Sequence, residues 1–318
     1  MTAPLRGPGF TKLRELADVV YDPWIEQTPL RIYGAEQLAE RIAAERADVV
    51  VVESDSVAGP VFELGLRVIA STRGDPNNVD IAGATAAGVP VLNTPGRNAD
   101  AVAEMTVALL LAATRGLLPA DADVRSGNIF RDGTIPYQRF RGWEIAGRTA
   151  GLVGLGAVGR ATRWRLTGLG MRVIAHDPYN NDARHGLDEL LGEADVVSLH
   201  APVTDDTVGM IGAPQFAAMR DGAVFLNTAR AQLHDTDALV EALRGGKVAA
   251  AGLDHFVGEW LPTDHPLAGM PNVVLTPHIG GATWNTEARQ AQMVADDLEA
   301  LLAGDPPAHI VNPEVLAS

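Results

Sequence analysis

The sequence predicts an α/β protein with a doubly wound parallel sheet and a second, smaller α/β unit. Three observations lead there. The second half of the chain alternates short apolar runs with helix-compatible stretches. Its middle carries Gly154-Leu155-Gly156-Ala157-Val158-Gly159 between one such run and one such stretch. A length of 318 residues suggests roughly two domains, with ample apolar content for their cores.

In chain order, the first hundred residues read as the smaller unit. Residues 47–52, 66–70 and 89–92 are apolar runs of strand length, and 35–45 and 79–87 carry helical patterning between them. The segment before Phe10 is too short and too rich in proline and glycine for an opening strand, so that strand is expected to be vestigial or the chain to start late. Residues 98–118 form one long apolar helix pattern, with Glu104 a rare charge inside it, suited to bridging two domains or to an oligomer interface. A polar, irregular stretch follows over 126–143. Strands are then expected near 149–154, 171–176, 195–199, 222–226, 248–253 and 272–276, in the order 3-2-1-4-5-6 usual for such sheets. A last helix over about 287–302 is expected to return to the first unit.

Composition narrows the function. The formal net charge of −15 argues against nucleic acid or an anionic membrane as partner. The chain has no cysteine, which removes disulfides and thiolate chemistry. Its N-terminal residues lack the apolar core of a signal peptide, and the apolar run 107–113 is short and leads into Arg115. A cytoplasmic protein is the expectation. No H-E-x-x-H or comparable spacing occurs, so no metal is expected.

The glycine turn has the setting a dinucleotide requires. Thr149-Ala150-Gly151-Leu152-Val153 precedes it, a helix-compatible segment follows, and the next strand ends in Asp177, 18 residues past Gly159. Gly154 permits the tight turn, Gly156 lets backbone approach a pyrophosphate, and Gly159 lets helix and strand pack closely. The helix N-terminus would face the phosphates. Asp177 would accept hydrogen bonds from the adenosine ribose and repel a 2′-phosphate, favouring NAD over NADP.

Ligands of such sheets bind at the carboxyl ends of the strands. His200-Ala201-Pro202 follow the third strand, Asn227-Thr228-Ala229-Arg230 the fourth, Asp254 and then Glu259 the fifth, and Thr276-Pro277-His278 the sixth. In the expected order, the second and third strands hold the adenosine half and the last three flank the nicotinamide. An arginine, a carboxylate and a histidine thereby converge where hydride would move. Arginine offers a planar fork to a carboxylate and can polarise an adjacent keto oxygen. Histidine can give that oxygen a proton or take it back, and a carboxylate beside it fixes its tautomer. A histidine after proline is alone more often a turn residue, and Arg230 or Glu259 alone a surface charge; the three together at neighbouring strand ends read as catalytic. His200, His255 and His265 read as near the cofactor or its loops, without an acid–base role.

At these residues the chain resembles the D-isomer-specific 2-hydroxyacid dehydrogenase family, close to its phosphoglycerate dehydrogenase-like members. The resemblance runs from about Ala47 to Pro313 through LRVIASTRGDPNNVD (66–80), VPVLNTPGRNADAVAE (89–104), GRTAGLVGLGAVGR (147–160), DVVSLHAPVTDDT (195–207), GAVFLNTAR (222–230), AAGLDHF (250–256) and NVVLTPHIGGAT (272–283). It implies a Rossmann NAD domain over 99–285, inserted into a smaller flavodoxin-like substrate domain made of 1–98 and 286–318, in a homodimer. It implies Arg230 as the ligand of the substrate carboxylate and keto oxygen, Glu259 as partner of His278, and His278 as the acid–base. Expected cofactor contacts are Gly154, Gly156, Ala157, Val158, Gly159, Asp177, His200, Pro202, Thr207, Thr228, Ala229, Asp254 and Gly280, with Asp254 on the nicotinamide carboxamide. Arg73, Gly74 and Asn98 fall where the family contacts substrate.

The chain departs from the family at several positions. Ala231 stands where a glycine is usual and Trp260 where a proline is usual. Glu53-Ser54-Asp55-Ser56 replaces a segment in which many relatives carry a substrate-reading arginine, and its two acids are expected to disfavour a phosphate there, although Arg73 could supply charge from the next loop. The chain ends at Ser318 without the extension some phosphoglycerate dehydrogenases carry, so serine-type feedback is not expected.

The sequence thus points to an NAD-dependent oxidoreductase interconverting a small D-2-hydroxy acid and its 2-keto acid, with glyoxylate, hydroxypyruvate and unphosphorylated sugar acids equally open. A phosphorylated substrate, 3-phosphoglycerate or a sugar-acid phosphate, is the nearest alternative. The rival from another class is an NAD(H)-sensing scaffold or corepressor, against which the complete Arg–Glu–His set speaks.

Overall fold

The computed structural model describes residues 1–317. The chain divides into two compact units, Met1–Arg97 with Thr283–Ser318, and Asn98–Ala282. The first unit begins with α1 (Gly7–Leu16) and α2 (Ala35–Glu45), followed by β1 (Val49–Val52), β2 (Val68–Ser71), α3 (Ile81–Ala86) and β3 (Val91–Leu92). The second contains α4 (Ala99–Arg115), α5 (Leu117–Arg125), α6 (Pro136–Arg139), β4 (Thr149–Val153), α7 (Ala157–Gly168), β5 (Arg172–His176), α8 (Leu187–Glu193) and β6 (Val196–Leu199). It continues with α9 (Ala213–Ala218), β7 (Ala223–Asn227), α10 (Thr236–Arg244), β8 (Val248–Leu253) and β9 (Val273–Leu275). The chain then returns to the first unit through α11 (Trp284–Ala303).

In the first unit the three strands are parallel, in the order β1-β2-β3. Alternation along β1 serves two cores: Val50 and Val52 join Leu38 and Ile42 of α2, whereas Val51 joins Leu13 of α1 and Val294 and Leu298 of α11. No strand precedes β1 among the described residues. Thr2 and Ala3 donate their N–H groups to Val51 O at 2.9 and 3.3 Å, and the chain enters α1 directly. That helix crosses α11 so closely that a Cβ on Gly9 would meet Gln292 N at 2.3 Å. α11 starts at Trp284, earlier than the pattern suggested, because the Thr283 hydroxyl caps it by accepting the Thr286 N–H at 3.1 Å.

In the second unit a six-stranded parallel sheet has helices on both faces. Val197 and Leu199 of β6 and Phe225 of β7 join a core with Leu190 of α8, Phe216 of α9 and Leu239 of α10. Val196, Val224 and Leu226 point to the opposite core, with Leu109 and Leu110 of α4 and Leu166 of α7. The strands are buried on both sides, which is why they read as continuous apolar runs.

Two expectations are corrected here. The strand order is β5-β4-β6-β7-β8-β9, so the third strand lies beside the first and not outside the second. After β5 the chain turns through Asp177 and Asn180 and comes back antiparallel, Arg184 bridging His176 on the outer edge of β5; α8 then carries it to the free side of β4. The long apolar helix is also two helices. Gly116 adopts φ +57° and breaks it into α4 and α5, bent by 66°. No single helix among the described residues is long and apolar enough to cross a membrane.

Candidate active site

The glycine turn joins β4 to α7. Gly154 has φ +97°, and a Cβ there would meet Ala201 N at 2.6 Å, so the turn lies against the residues that follow β6. A Cβ on Gly159 would meet Gly154 O at 2.3 Å. Around Gly156, by contrast, nothing lies within 4 Å of a Cβ. The turn is therefore packed by its outer glycines and open at the middle one. Gly156 and Ala157 are exposed and Val158 is half-buried, leaving the unsatisfied N–H groups of the first turn of α7 accessible. Asp177 faces this turn, accepting the Leu155 N–H at 2.8 Å and the Tyr179 N–H at 3.0 Å. This cradle fits a dinucleotide pyrophosphate.

The corrected strand order brings His200 to the same turn. Its Nε2 lies 3.0 Å from Ser198 Oγ, and burial pushes it down to about 4. Thr207 Oγ1 donates to Pro202 O at 2.7 Å, pinning the loop that follows. Thr228 is buried with its hydroxyl 2.8 Å from that of Thr106, and Ala229 is half-buried beside it.

Three adjacent parallel strands, β7, β8 and β9, deliver the reactive types. Arg230 is exposed, its guanidinium folded back on Ala229 O at 2.6 Å, and it pairs with no carboxylate among the described residues. Glu259 and His278, from the loops after β8 and β9, meet at 2.8 Å between Oε1 and Nδ1. Both residues sit at φ +54°, a conformation L side chains rarely adopt. Asp254 anchors the second of these loops. It is 1% exposed and accepts Thr276 Oγ1–H at 2.6 Å, Ile279 N–H at 2.9 Å and Gly280 N–H at 2.7 Å, which leaves about one acceptor position for a ligand. Gly280 permits this clamp, since a Cβ there would meet Asp254 Oδ2 at 2.8 Å.

His255, read from the sequence as near the cofactor or its loops, lies beside both His278 and Glu259. Its ring centroid is 3.8 Å from that of His278 and its Nδ1 is 3.7 Å from Glu259 Oε1. Burial, with the charges of His278 and Arg230 in support, pushes it down to about 4. No sequence motif signals this contact.

The remaining candidates are distributed over both units. Asn98 belongs to the second, where its Nδ2 lies 3.1 Å from a Cβ built on Gly281. Arg73 and Gly74 belong to the first. There Arg73 donates to Glu53 O at 2.5 Å and to Asn77 Oδ1 at 2.6 Å, and Gly74 O accepts from Asn93. The two acids expected to repel a phosphate are already engaged. Asp55 is buried, accepting from Thr2 Oγ1 at 2.5 Å and the Tyr33 N–H at 2.7 Å. Glu53 is ion-paired with Arg97 at 2.5 Å and accepts from Trp24 Nε1 at 3.2 Å. Glu53 is thus paired with a cation, whereas Asp55 accepts from a hydroxyl and a backbone N–H. Trp260, at the position of the usual proline, is exposed, and Ala231 is buried.

Residues 107–280 match the model of the D-isomer specific 2-hydroxyacid dehydrogenase, NAD binding domain. The chain belongs to the D-isomer-specific 2-hydroxyacid dehydrogenase family. It is 38% identical to a glyoxylate reductase of Thermofilum pendens over 97% of its own length and 92% of that protein. It is also 38% identical to a D-3-phosphoglycerate dehydrogenase of Archaeoglobus fulgidus, over 78% of this chain and 47% of that one. The NAD complex of a D-isomer specific 2-hydroxyacid dehydrogenase from Lactobacillus delbrueckii ssp. bulgaricus is similar in fold, with a TM-score of 0.78, 29% identity and 96% of each chain covered. As a member of this dehydrogenase family the chain is an NAD-dependent oxidoreductase that interconverts D-2-hydroxy acids and 2-keto acids.

Proposed function

We propose that the substrate is a small, unphosphorylated 2-keto acid and its D-2-hydroxy acid, with His278 as the acid–base, Glu259 as its partner and Arg230 as the substrate's anchor. The 2.8 Å pair between His278 and Glu259 carries this reading. With Glu259 accepting from Nδ1, the proton in transit is the one on Nε2: protonated His278 gives it to the keto oxygen, and neutral His278 takes it from the alcohol. Arg230, paired with no carboxylate among the described residues, presents a bidentate fork to the substrate carboxylate and draws charge from the keto oxygen.

The glycine turn with Ala157 and Val158 would hold the pyrophosphate and Asp177 the adenosine ribose. His200, Pro202, Thr207, Thr228, Ala229 and Gly280 would line the cofactor, with Asp254 on the carboxamide. Bound NAD supplies the hydride acceptor, and NADH the donor. Arg73 and Gly74 of the first unit and Asn98 of the second are assigned to substrate, with the first unit as the substrate domain. Because Glu53 neutralises Arg97, that arginine adds no net positive charge for a phosphate. The name of the Thermofilum relative puts glyoxylate among the candidates, and similarity to the Archaeoglobus protein favours phosphoglycerate as the second reading.

The chain is further proposed to act as a cytoplasmic homodimer without nucleic-acid or membrane partners. The charge of −15 supports the latter, and exposed apolar side chains on α5 support the former.

A panel of glyoxylate, hydroxypyruvate, an unphosphorylated sugar keto acid and 3-phosphohydroxypyruvate, each with NADH followed by absorbance, tests this. Faster turnover of the unphosphorylated members is expected, with His278→Ala about 10²–10⁴-fold slower and NADH binding retained. Preference for the phosphorylated member would establish the second reading. Undiminished turnover in His278→Ala would remove that histidine from the reaction.

A further inference from the structure

We propose that His255, Glu259 and His278 form a zinc-binding site whose occupation silences the acid–base pair. One donor atom from each residue lies within 4.8 Å of the other two. Glu259 Oε1 is 2.8 Å from His278 Nδ1 and 3.7 Å from His255 Nδ1. Tetrahedral zinc, with donors at about 2.0–2.2 Å, needs donor–donor separations of about 3.3–3.5 Å, and the two observed distances bracket that range. Two imidazoles and one carboxylate are a donor set that zinc accepts with a fourth position left for water.

The second observation is His255 itself. It is 4% exposed, and its Nδ1 has no hydrogen-bond partner while lying beside the Glu259 carboxylate. A buried polar atom of this kind requires an explanation, and a metal would satisfy it. The loops that carry two of the donors are held in place. Glu259 and His278 are held at positive φ, and Asp254 fixes the segment after His278.

A second group, His185, Glu189 and Glu193, lacks these features. Its carboxylates are taken by the Gly186 N–H and by Arg172, and none of its residues is fully buried. Zinc on His278 Nδ1 would occupy the place from which that atom pairs with Glu259, leaving the ring unable to carry a second proton. This inhibitory consequence rests on the acid–base reading above; the binding does not.

The test titrates zinc chloride into metal-stripped protein in competition with a chromophoric indicator, with NADH-linked turnover measured in parallel. One zinc per chain is expected. His255→Phe keeps a ring beside His278 but removes both nitrogens and should weaken binding about 100-fold, whereas His185→Gln should not. Zinc should abolish wild-type turnover reversibly with EDTA, and His255→Phe should hold its own zinc-free rate at the same zinc concentration. Glu259→Gln, assayed by binding alone, should also lose affinity and serves if His255→Phe does not fold. No uptake at micromolar zinc, or affinity unchanged in both variants, would overturn the site. Binding is read without substrate, so a wrong substrate assignment would leave this result intact.

Discussion

Asn227, the last residue of β7, uses its side-chain amide to fix the loop that carries Arg230. Its Nδ2 donates to Arg230 O at 2.8 Å and to His234 Nδ1 at 3.0 Å, and its Oδ1 accepts the Ala229 N–H at 3.0 Å. His234 must therefore be neutral, with its proton on Nε2; a second proton would fall on Nδ1, against the amide. Burial pushes His234 down to about 4, from an ordinary 6.5. Between those values the unfolded chain binds a proton that the folded chain does not. The stability contributed above pH 6.5 is thus lost as the pH falls toward 4. At about 1.4 kcal/mol per unit, the loss reaches up to about 3 kcal/mol, and His200 acts in the same direction. Urea unfolding of the wild type should accordingly move to lower urea over this range. His234→Gln keeps an acceptor for Asn227 without titrating, so its midpoint should fall less steeply. A slope equal to that of the wild type would show that His234 is not the source.

At the scale of elements, the turn between β4 and α7 separates two roles that the sequence could state only together. A Cβ on Gly159 meets Gly154 O at 2.3 Å, backbone against backbone, so Gly159→Ala must push α7 off β4. A Cβ on Gly156 meets nothing, and its φ of −70° suits alanine. Gly159→Ala should therefore lower the melting temperature, whereas Gly156→Ala should leave it unchanged and weaken NADH on the order of tenfold by filling the space a pyrophosphate needs. Thermal melts and NADH titrations of both variants decide it; equal melting losses would mean that Gly156 is packed like Gly159, and unchanged NADH affinity in Gly156→Ala would mean that the open space is not where the cofactor approaches. The strands, the turn and the Arg230, Glu259 and His278 positions were legible because period, turn chemistry and strand-end placement are written locally. Strand order was not, since the return of the chain at Arg184 is set by pairing across the sheet. Nor were the His255 contact or the Glu53–Arg97 pair, because both join residues that only the fold brings together.

For the whole molecule, charge and apolar exposure pull in opposite directions. A net charge of −15 on each chain resists self-association, so a dimer must bury enough apolar surface to overcome it, typically about 800 Å² per partner. The second unit offers candidates. Leu117 and Val124 are 54% and 61% exposed and, seven residues apart, share one face of α5, while Phe130 just beyond is 75% exposed. Apolar side chains so placed on an acidic chain are better explained by a partner than by solvent. Light scattering should give twice the 33.5 kDa chain mass, and Leu117→Asp with Val124→Asp should return it to that of one chain. The glycine turn lies on different elements, so the double variant should still bind NADH, separating loss of association from loss of folding. A wild type that runs as a single chain at micromolar concentration would rule out the dimer, and a double variant that stays dimeric would move the interface away from α5.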